Sequence, residues 1–369
     1  MARHQQRCLT AIALALGTVL SMGACATTVT AEGLPNVSAP PVAPRPAEAP
    51  RVDLMSKFDL DPDAASEHWQ ERGSDHITPD PGEVDPDDQA PNDEATGLSA
   101  DPTDGLGPIS LADGVGLGDQ GYGDPAPQDG MNYGTTGRLY FTHDEDWSTI
   151  SVCSATVVTS ATRDVIATAG HCVWDSDIGS VYLKLLFVPG DLDNAAEAPW
   201  GVFAASEVFL RTEFQEQAFS DPDLGLSGEG WAYDYAFIRL APNNEGVKVQ
   251  DAVGAQGIAF GIPAETLVVI GYPTAEPFDG TSERYCAATS WSRYRMGGYS
   301  IECSMTPGCS GGGWFARWDP ERGAGYLVGV SSTSNGFDLN ANALGAAAYE
   351  LFEYAGALDE SLFSGGGIE

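Results

Sequence analysis

Gly308-Cys309-Ser310-Gly311-Gly312, inside the longer run Cys303-Ser-Met-Thr-Pro-Gly-Cys-Ser-Gly-Gly-Gly-Trp-Phe315, is the stretch on which the reading of this chain turns. Glycine on both sides of a serine lets the backbone take positive φ and lets a substrate approach the main chain. It also leaves backbone N–H groups unobstructed, so that several can point at one place. A nucleophilic serine needs both: exposure, and donors for the oxyanion it creates. The plainer reading is a Gly-rich connection between strands. The two readings separate on whether the chain also supplies a base and an acid to orient it.

Five histidines are available: His4, His68, His76, His143 and His171. His4 belongs to the N-terminal leader, and His68 and His76 lie in a polar, Asp-rich tract. His171 stands in Thr168-Ala-Gly-His-Cys172, directly after the apolar run Val165–Thr168. The small residues before it leave room. Cys172 can pair with Cys153 across a hairpin-like segment, and a disulfide so placed fixes where the imidazole points. His143, in Thr142-His-Asp-Glu-Asp146, is the competitor. The orienting acid is read at Asp234, immediately before Tyr235-Ala-Phe-Ile-Arg-Leu240. A carboxylate at the mouth of an apolar strand is costly unless it is hydrogen-bonded. One that is buried and bonded can hold the imidazole tautomer and stabilise the imidazolium. Asp221 and Asp223, in a loop-like run, are weaker candidates.

Chain order discriminates among hydrolases. The pattern G-x-S-x-G also fits the α/β-hydrolase elbow, but that fold places its histidine after the serine, and no histidine follows His171. A subtilisin order needs an Asp before His171, for which Asp164 is on offer, and a helix after Ser310. The surroundings read instead as many short β runs separated by Gly, Asn, Asp and Pro. Among them are Arg138–Thr142, Val152–Val158, Val165–Thr168, Val181–Val188 and Tyr235–Leu240, then Leu267–Gly271, Tyr299–Cys303, Gly312–Ala316 and Tyr326–Ser331. This pattern predicts an all-β fold, with one helix between Leu344 and Ala357.

With His171, Asp234 and Ser310 in that order, the chain resembles the trypsin/chymotrypsin-like serine peptidases. The nearer likeness is to the secreted bacterial branch that includes glutamyl-endopeptidase-like enzymes. The residues that carry it are Thr168–Cys172, Asp234–Ile238 and Gly308–Gly312, supported by Cys153–Val158, Phe187–Gly190 and Gly271–Pro273. The resemblance implies two packed six-stranded antiparallel β-barrels with the site in the cleft between them. It implies Ser310 as nucleophile, His171 as general base and then acid, and Asp234 as its orienting group. The N–H groups of Gly308 and Ser310 would form the oxyanion hole. Ser331, Ser332 and Thr333 would lie on the edge strand that pairs with substrate backbone. Ser304, six residues before the nucleophile, would floor the primary pocket. It is neutral, and no histidine lies near Ser331, so a small or medium neutral side chain is expected rather than Arg, Lys or Glu.

The resemblance also favours a disulfide Cys286–Cys303 with Cys309 free; the alternative is Cys303–Cys309 with Cys286 free. Cys309 marks a departure. Animal relatives carry Asp before the nucleophile, where it pairs with a freed N-terminus on activation. Here that ion pair is not available, and the oxyanion hole is expected to form without it. The implied activity is that of an exported serine endopeptidase, a monomer acting on polypeptides without cofactor or metal. A non-catalytic peptide- or protein-binding module on the same fold is the alternative, against which the complete His171–Asp234–Ser310 set argues.

The whole chain has 369 residues and a formal charge of −36, which excludes nucleic acid or an anionic membrane as a partner held by bulk charge. Residues 1–26 read as a targeting segment. Arg3, His4 and Arg7 precede an apolar run, Leu9 to Leu20, that is too short to span a bilayer comfortably. Ala24-Cys25-Ala26 is a cleavage pattern, and Met22-Gly-Ala-Cys25 is a lipobox-like one, so simple secretion and a cell-surface lipoprotein anchored at Cys25 both stay open. Residues 27–131 are rich in Pro and Asp and carry 22 of the 53 acidic residues. They are expected to form a disordered propeptide or tether, with Met55–Arg72 as a short helical or docking exception. Residues 132–369 form the expected peptidase domain. A lipid label carried by the wild-type protein and lost in Cys25→Ser identifies the anchored form; an unlabelled wild-type protein leaves simple secretion.

Overall fold

The computed structural model describes residues 55–72, 77–79, 98–102, 120–125, 134–143, 150–191, 198–221, 225–358 except 263, 265, 279, 281, 295, 320 and 321, and 363–365. The leader with Cys25, the Pro-rich stretch 37–50 and Asp223 lie outside them.

Six antiparallel strands close the first barrel: β1 (Thr136–Thr142), β2 (Ile150–Val157), β3 (Val165–Thr168), β4 (Leu183–Pro189), β5 (Phe203–Arg211) and β6 (Ala236–Leu240). Their order is β5-β4-β1-β2-β3-β6, and β6 pairs back onto β5, so the ring has no free edge there. Alternate residues point inward. Leu139 and Phe141 of β1, Cys153 and Ala155 of β2, Phe187 of β4 and Ile238 of β6 fill the interior.

The outward face is not polar. Tyr140, Val152, Leu186 and Val188 form a second apolar layer, and Ala65 packs on it. Strands that are apolar on both faces need a cover, and the helix Pro62–Arg72 supplies one. The strand Met55–Asp59 before it pairs antiparallel with β5, from Met55↔Arg211 to Asp59↔Glu207. Met55–Arg72, the expected exception, thus docks on the first barrel, and three pieces of the tract expected to be unfolded are also built onto the sheets. Ile77–Pro79 runs parallel beside β2, Leu98–Ala100 pairs with the second half at Phe260↔Leu98, and Gln120–Pro125 does so at Arg284↔Pro125.

The second half comprises β7 (Gly257–Phe260), β8 (Leu267–Gly271), β9 (Arg284–Ala288), β10 (Tyr299–Glu302), β11 (Gly313–Asp319), β12 (Ala324–Ser334) and β13 (Asp338–Ala343). Six of these run in the order β10-β13-β12-β11-β8-β9, with β7 parallel beside β12. Trp314, Val269, Val328 and Leu339 lie in its core. Cys286 of β9 is bonded to Cys303, just past β10. The two halves meet through Val165 and Phe237 on one side and Phe260, Val268 and Phe315 on the other. The predicted C-terminal helix, observed as Ala346–Tyr354, adds Phe352 to that layer. Each buried aromatic of this kind contributes roughly 1.5–3 kcal/mol.

A chain that starts at Asn132 loses the cover over Tyr140, Val152, Leu186 and Val188. It also bares the edges of β5, β7 and β9. It is expected to melt about 5–10 °C below a chain that starts at Thr27 and to aggregate on concentration, as read by calorimetry and light scattering.

Candidate active site

His171 lies in a single turn of 3-10 helix, Gly170–Cys172, that follows β3. The Cys153–Cys172 disulfide ties this turn back to β2. Gly170 is closely packed there: a Cβ would sit 3.0 Å from the Phe214 ring and 3.1 Å from Asp234 Oδ1. Asp234 ends the 3-10 helix Glu229–Tyr233 with φ −73° and ψ 64°. Tyr235 N–H donates to Tyr233 C=O across it at 2.8 Å. That is an inverse γ-turn, and it turns the carboxylate away from β6 toward His171.

The Asp234 side chain is fully buried and accepts three hydrogen bonds. The backbone N–H of His171 reaches Oδ1 at 2.8 Å. Nδ1 of the His171 ring lies 2.8 Å from Oδ2, and the Ser332 hydroxyl donates to Oδ2 at 2.5 Å. A buried carboxylate bonded this fully is held in one orientation. The Trp231 ring lies against the imidazole with centroids 6.1 Å apart.

Ser310 sits in the turn between β10 and β11, held by β2. The N–H of Ser154 donates to Ser310 C=O at 2.7 Å. The Ser154 hydroxyl donates to Gly308 C=O at 2.9 Å and accepts from Tyr272 N–H at 2.9 Å. Gly311, at φ +75°, packs so closely on β3 that a Cβ would meet Thr168 Oγ1 at 2.2 Å and Ala169 N at 2.9 Å. This brings the serine turn to the residues just before His171. The N–H groups within the turn are used unequally. Those of Cys309, Gly311 and Gly312 donate to Thr306, Ser331 and Cys309 carbonyls. Among the described residues, those of Gly308 and Ser310 have no acceptor within the chain.

The remaining sequence candidates fall as follows. Ser331 accepts from Trp314 Nε1 at 2.9 Å. Thr333 bonds Tyr294 Oη at 2.9 Å and accepts from Asn340 Nδ2 at 3.2 Å. Ser332 lies in the bulge between the Ser331↔Ala341 and Thr333↔Asn340 pairs, which aims its hydroxyl at Asp234. All three side chains therefore turn inward. A small cleft beside Ser310 is lined by Thr306, Pro307, Ser331 to Ser334 and Leu339; half-buried Ser304 precedes this lining by two residues. His143 lies 2.7 Å from Ser151 Oγ and 3.8 Å from Asp175. Asp164 is bound to Arg239 at 3.2 Å and Lys248 at 3.5 Å, so it is committed away from His171. Asp221 lies in a short strand paired with Gly225–Ser227.

Cys309 is free and buried, and burial pushes its thiol up to about 12, so it is uncharged beside the serine. The one group of His, Cys, Asp or Glu among the described residues that is compact enough for a metal is Cys153, His171 and Cys172. Both of its sulfurs are spent in the disulfide. Ser154 and the role of Ser332 were missed by sequence reasoning. Ser154 stands inside a quoted motif, but nothing in a run of small residues marks which hydroxyl spans the two halves.

Residues 153–330 match the family model of the trypsin-like peptidase domain. No curated protein matches the chain. Among solved structures, a thermostable serine protease from an extremophilic microorganism is 28% identical, over 62% of this chain and 99% of its own, with a TM-score of 0.49. The protease Anisep from Arthrobacter nicotinovorans is 27% identical over 61% and 96%, with a TM-score of 0.48. A Glu endopeptidase solved with MPD is 21% identical over 61% and 91%, with a TM-score of 0.46.

Tyr272, whose N–H bonds Ser154, neighbours a buried acid, Glu283. Burial raises the Glu283 carboxyl well above its ordinary value of 4.5, and the Tyr272 hydroxyl offsets only part of this. The folded chain therefore holds it protonated at pH values where the unfolded chain ionises it. Its contribution to stability is present below about pH 4.5 and is lost as pH rises through the folded value. Glu283→Gln is expected to melt with wild type near pH 4 and above it near pH 8; equal melting temperatures at both would remove this role.

Proposed function

With residues 153–330 a trypsin-like peptidase domain, we propose that the protein is an exported serine endopeptidase that works through an acyl-enzyme on Ser310. The observation that carries this reading is the fully buried Asp234 carboxylate bonded to Nδ1 of His171 at 2.8 Å. With Nδ1 committed, Nε2 is the ring nitrogen that takes the proton of Ser310 as its oxygen attacks the scissile carbonyl. The N–H groups of Gly308 and Ser310 receive the resulting oxyanion. His171 then passes its proton to the leaving amine. Water repeats the sequence on the acyl-enzyme, with His171 again as base.

Substrate backbone lies along the β12 edge past Ser331, in the manner of an added strand. The cleft beside Ser310 carries no charged side chain among its lining residues, which supports a small or medium neutral residue before the scissile bond. Export rests on the leader at residues 1–26. Among the described residues no helix is long and apolar enough to cross a membrane; lipid at Cys25 is the attachment that the leader's lipobox-like pattern supports. The chain acts as a monomer without cofactor. Residues 27–131 serve as a propeptide or tether, parts of which brace the peptidase domain.

Profiling a peptide library with the exported chain is expected to yield cuts after small neutral residues. Ser310→Ala should make none, and Asp234→Asn should fall about 10⁴-fold in kcat. Cleavage by Ser310→Ala at the wild-type rate would overturn the mechanism; cuts confined to Arg, Lys or Glu would overturn the specificity.

A further inference from the structure

The two N–H groups offered to an oxyanion each belong to a peptide unit whose carbonyl points the opposite way, because a trans peptide is planar. The direction of each donor is therefore set by whatever holds the carbonyl of the preceding residue. For Ser310 that carbonyl is Cys309 C=O, which accepts from Gly312 N–H at 2.9 Å, within the turn itself. For Gly308 it is Pro307 C=O, and its partner comes from elsewhere. Thr274 binds it twice, with its N–H at 2.8 Å and its hydroxyl at 3.1 Å. One residue along, the Thr306 hydroxyl donates to Ala275 C=O at 2.9 Å, so the two segments are strapped side by side.

The Pro307–Gly308 peptide needs such a hold. Gly308 stands at φ +99°. Turning the peptide over would carry φ to the ordinary negative region, which glycine enters as readily. The donor would then face Thr274 and the oxyanion site would lose it. The turn does not enforce its own active form. Nor can charge do so, since the residue before Ser310 is an uncharged, buried cysteine. On the far side of Gly308, its C=O is held by the Ser154 hydroxyl, which fixes the following peptide but leaves the preceding one to Thr274.

We propose that Thr274 is a positioning residue. Its paired hydrogen bonds to Pro307 C=O hold the Gly308 N–H toward the oxyanion and keep the site formed without an activating ion pair. This rests on the serine-peptidase reading above. It also gives the Gly271-Tyr-Pro-Thr274 segment a second task beside the bond from Tyr272 N–H to Ser154.

Burst kinetics with p-nitrophenyl acetate separate ester binding from acylation of the serine. Thr274→Val keeps the shape and the backbone donor but removes the hydroxyl. It is expected to lower the acylation rate constant about tenfold, short of the 10²–10³ seen when an oxyanion donor is removed outright, with ester binding within twofold of wild type. Thr274→Ser, which restores the hydroxyl, should return acylation to within about threefold. Thr274→Ala stands in if the valine variant does not fold. Wild-type acylation in Thr274→Val, an equal loss in Thr274→Ser, or a loss confined to binding would each overturn the proposal while a wild-type burst leaves the serine-peptidase reading intact. A folded wild-type protein with no burst, or one no faster than Ser310→Ala, would overturn both.

Discussion

The structure depends on one buried charge. The Asp234 carboxylate has no access to water, and an isolated ion in that position would cost several kcal/mol. It is tolerated because three donors converge on it. Two come from His171 in the first barrel and one from Ser332 in the second half. The same bonds that satisfy the charge fix the imidazole and fasten the two halves across their cleft. The requirement reaches outward. Gly170 leaves room beside the carboxylate, Cys172 is tied to Cys153, and β12 bulges at Ser332.

A second fastening crosses the cleft in the other direction. Ser154, on β2 of the first barrel, is bonded to Gly308, Ser310 and Tyr272 of the second half. Its own carbonyl accepts from the Thr168 hydroxyl at 2.8 Å, one strand over and three residues before His171. The histidine and the serine turn are thereby referred to a common frame. The proposed nucleophile and base sit on different halves, and catalytic geometry tolerates only small errors, so the proposed function needs ties of this kind.

Much of this was legible in the sequence, and the parts that were not have physical reasons. Val165–Thr168 and Leu267–Gly271 are bounded as read, because each is a short β-branched run between turn residues. Phe203–Arg211 was not read as a strand. Its centre, Ala-Ala-Ser-Glu, has low β-propensity, and a register shift between Ala205 and Glu207 breaks the alternation. The cover formed by Met55–Arg72 was read as a short helix or docking motif, without its place on the barrel. The sign that it was needed lay elsewhere, in Leu183-Lys-Leu-Leu-Phe-Val188, which is too continuously apolar for a strand with one wet face. The order His171, Asp234, Ser310 selected the fold. The hydroxyls of Ser154, Thr274 and Ser332, which position the site, look like ordinary polar residues until the chain is folded around them.

The most direct test of the account is covalent. Folded wild-type protein treated with a fluorophosphonate and digested for peptide mass spectrometry is predicted to carry the label on Ser310 alone, and His171→Ala is predicted to suppress it. Folded protein that takes no label, or takes it on another residue, contradicts the account.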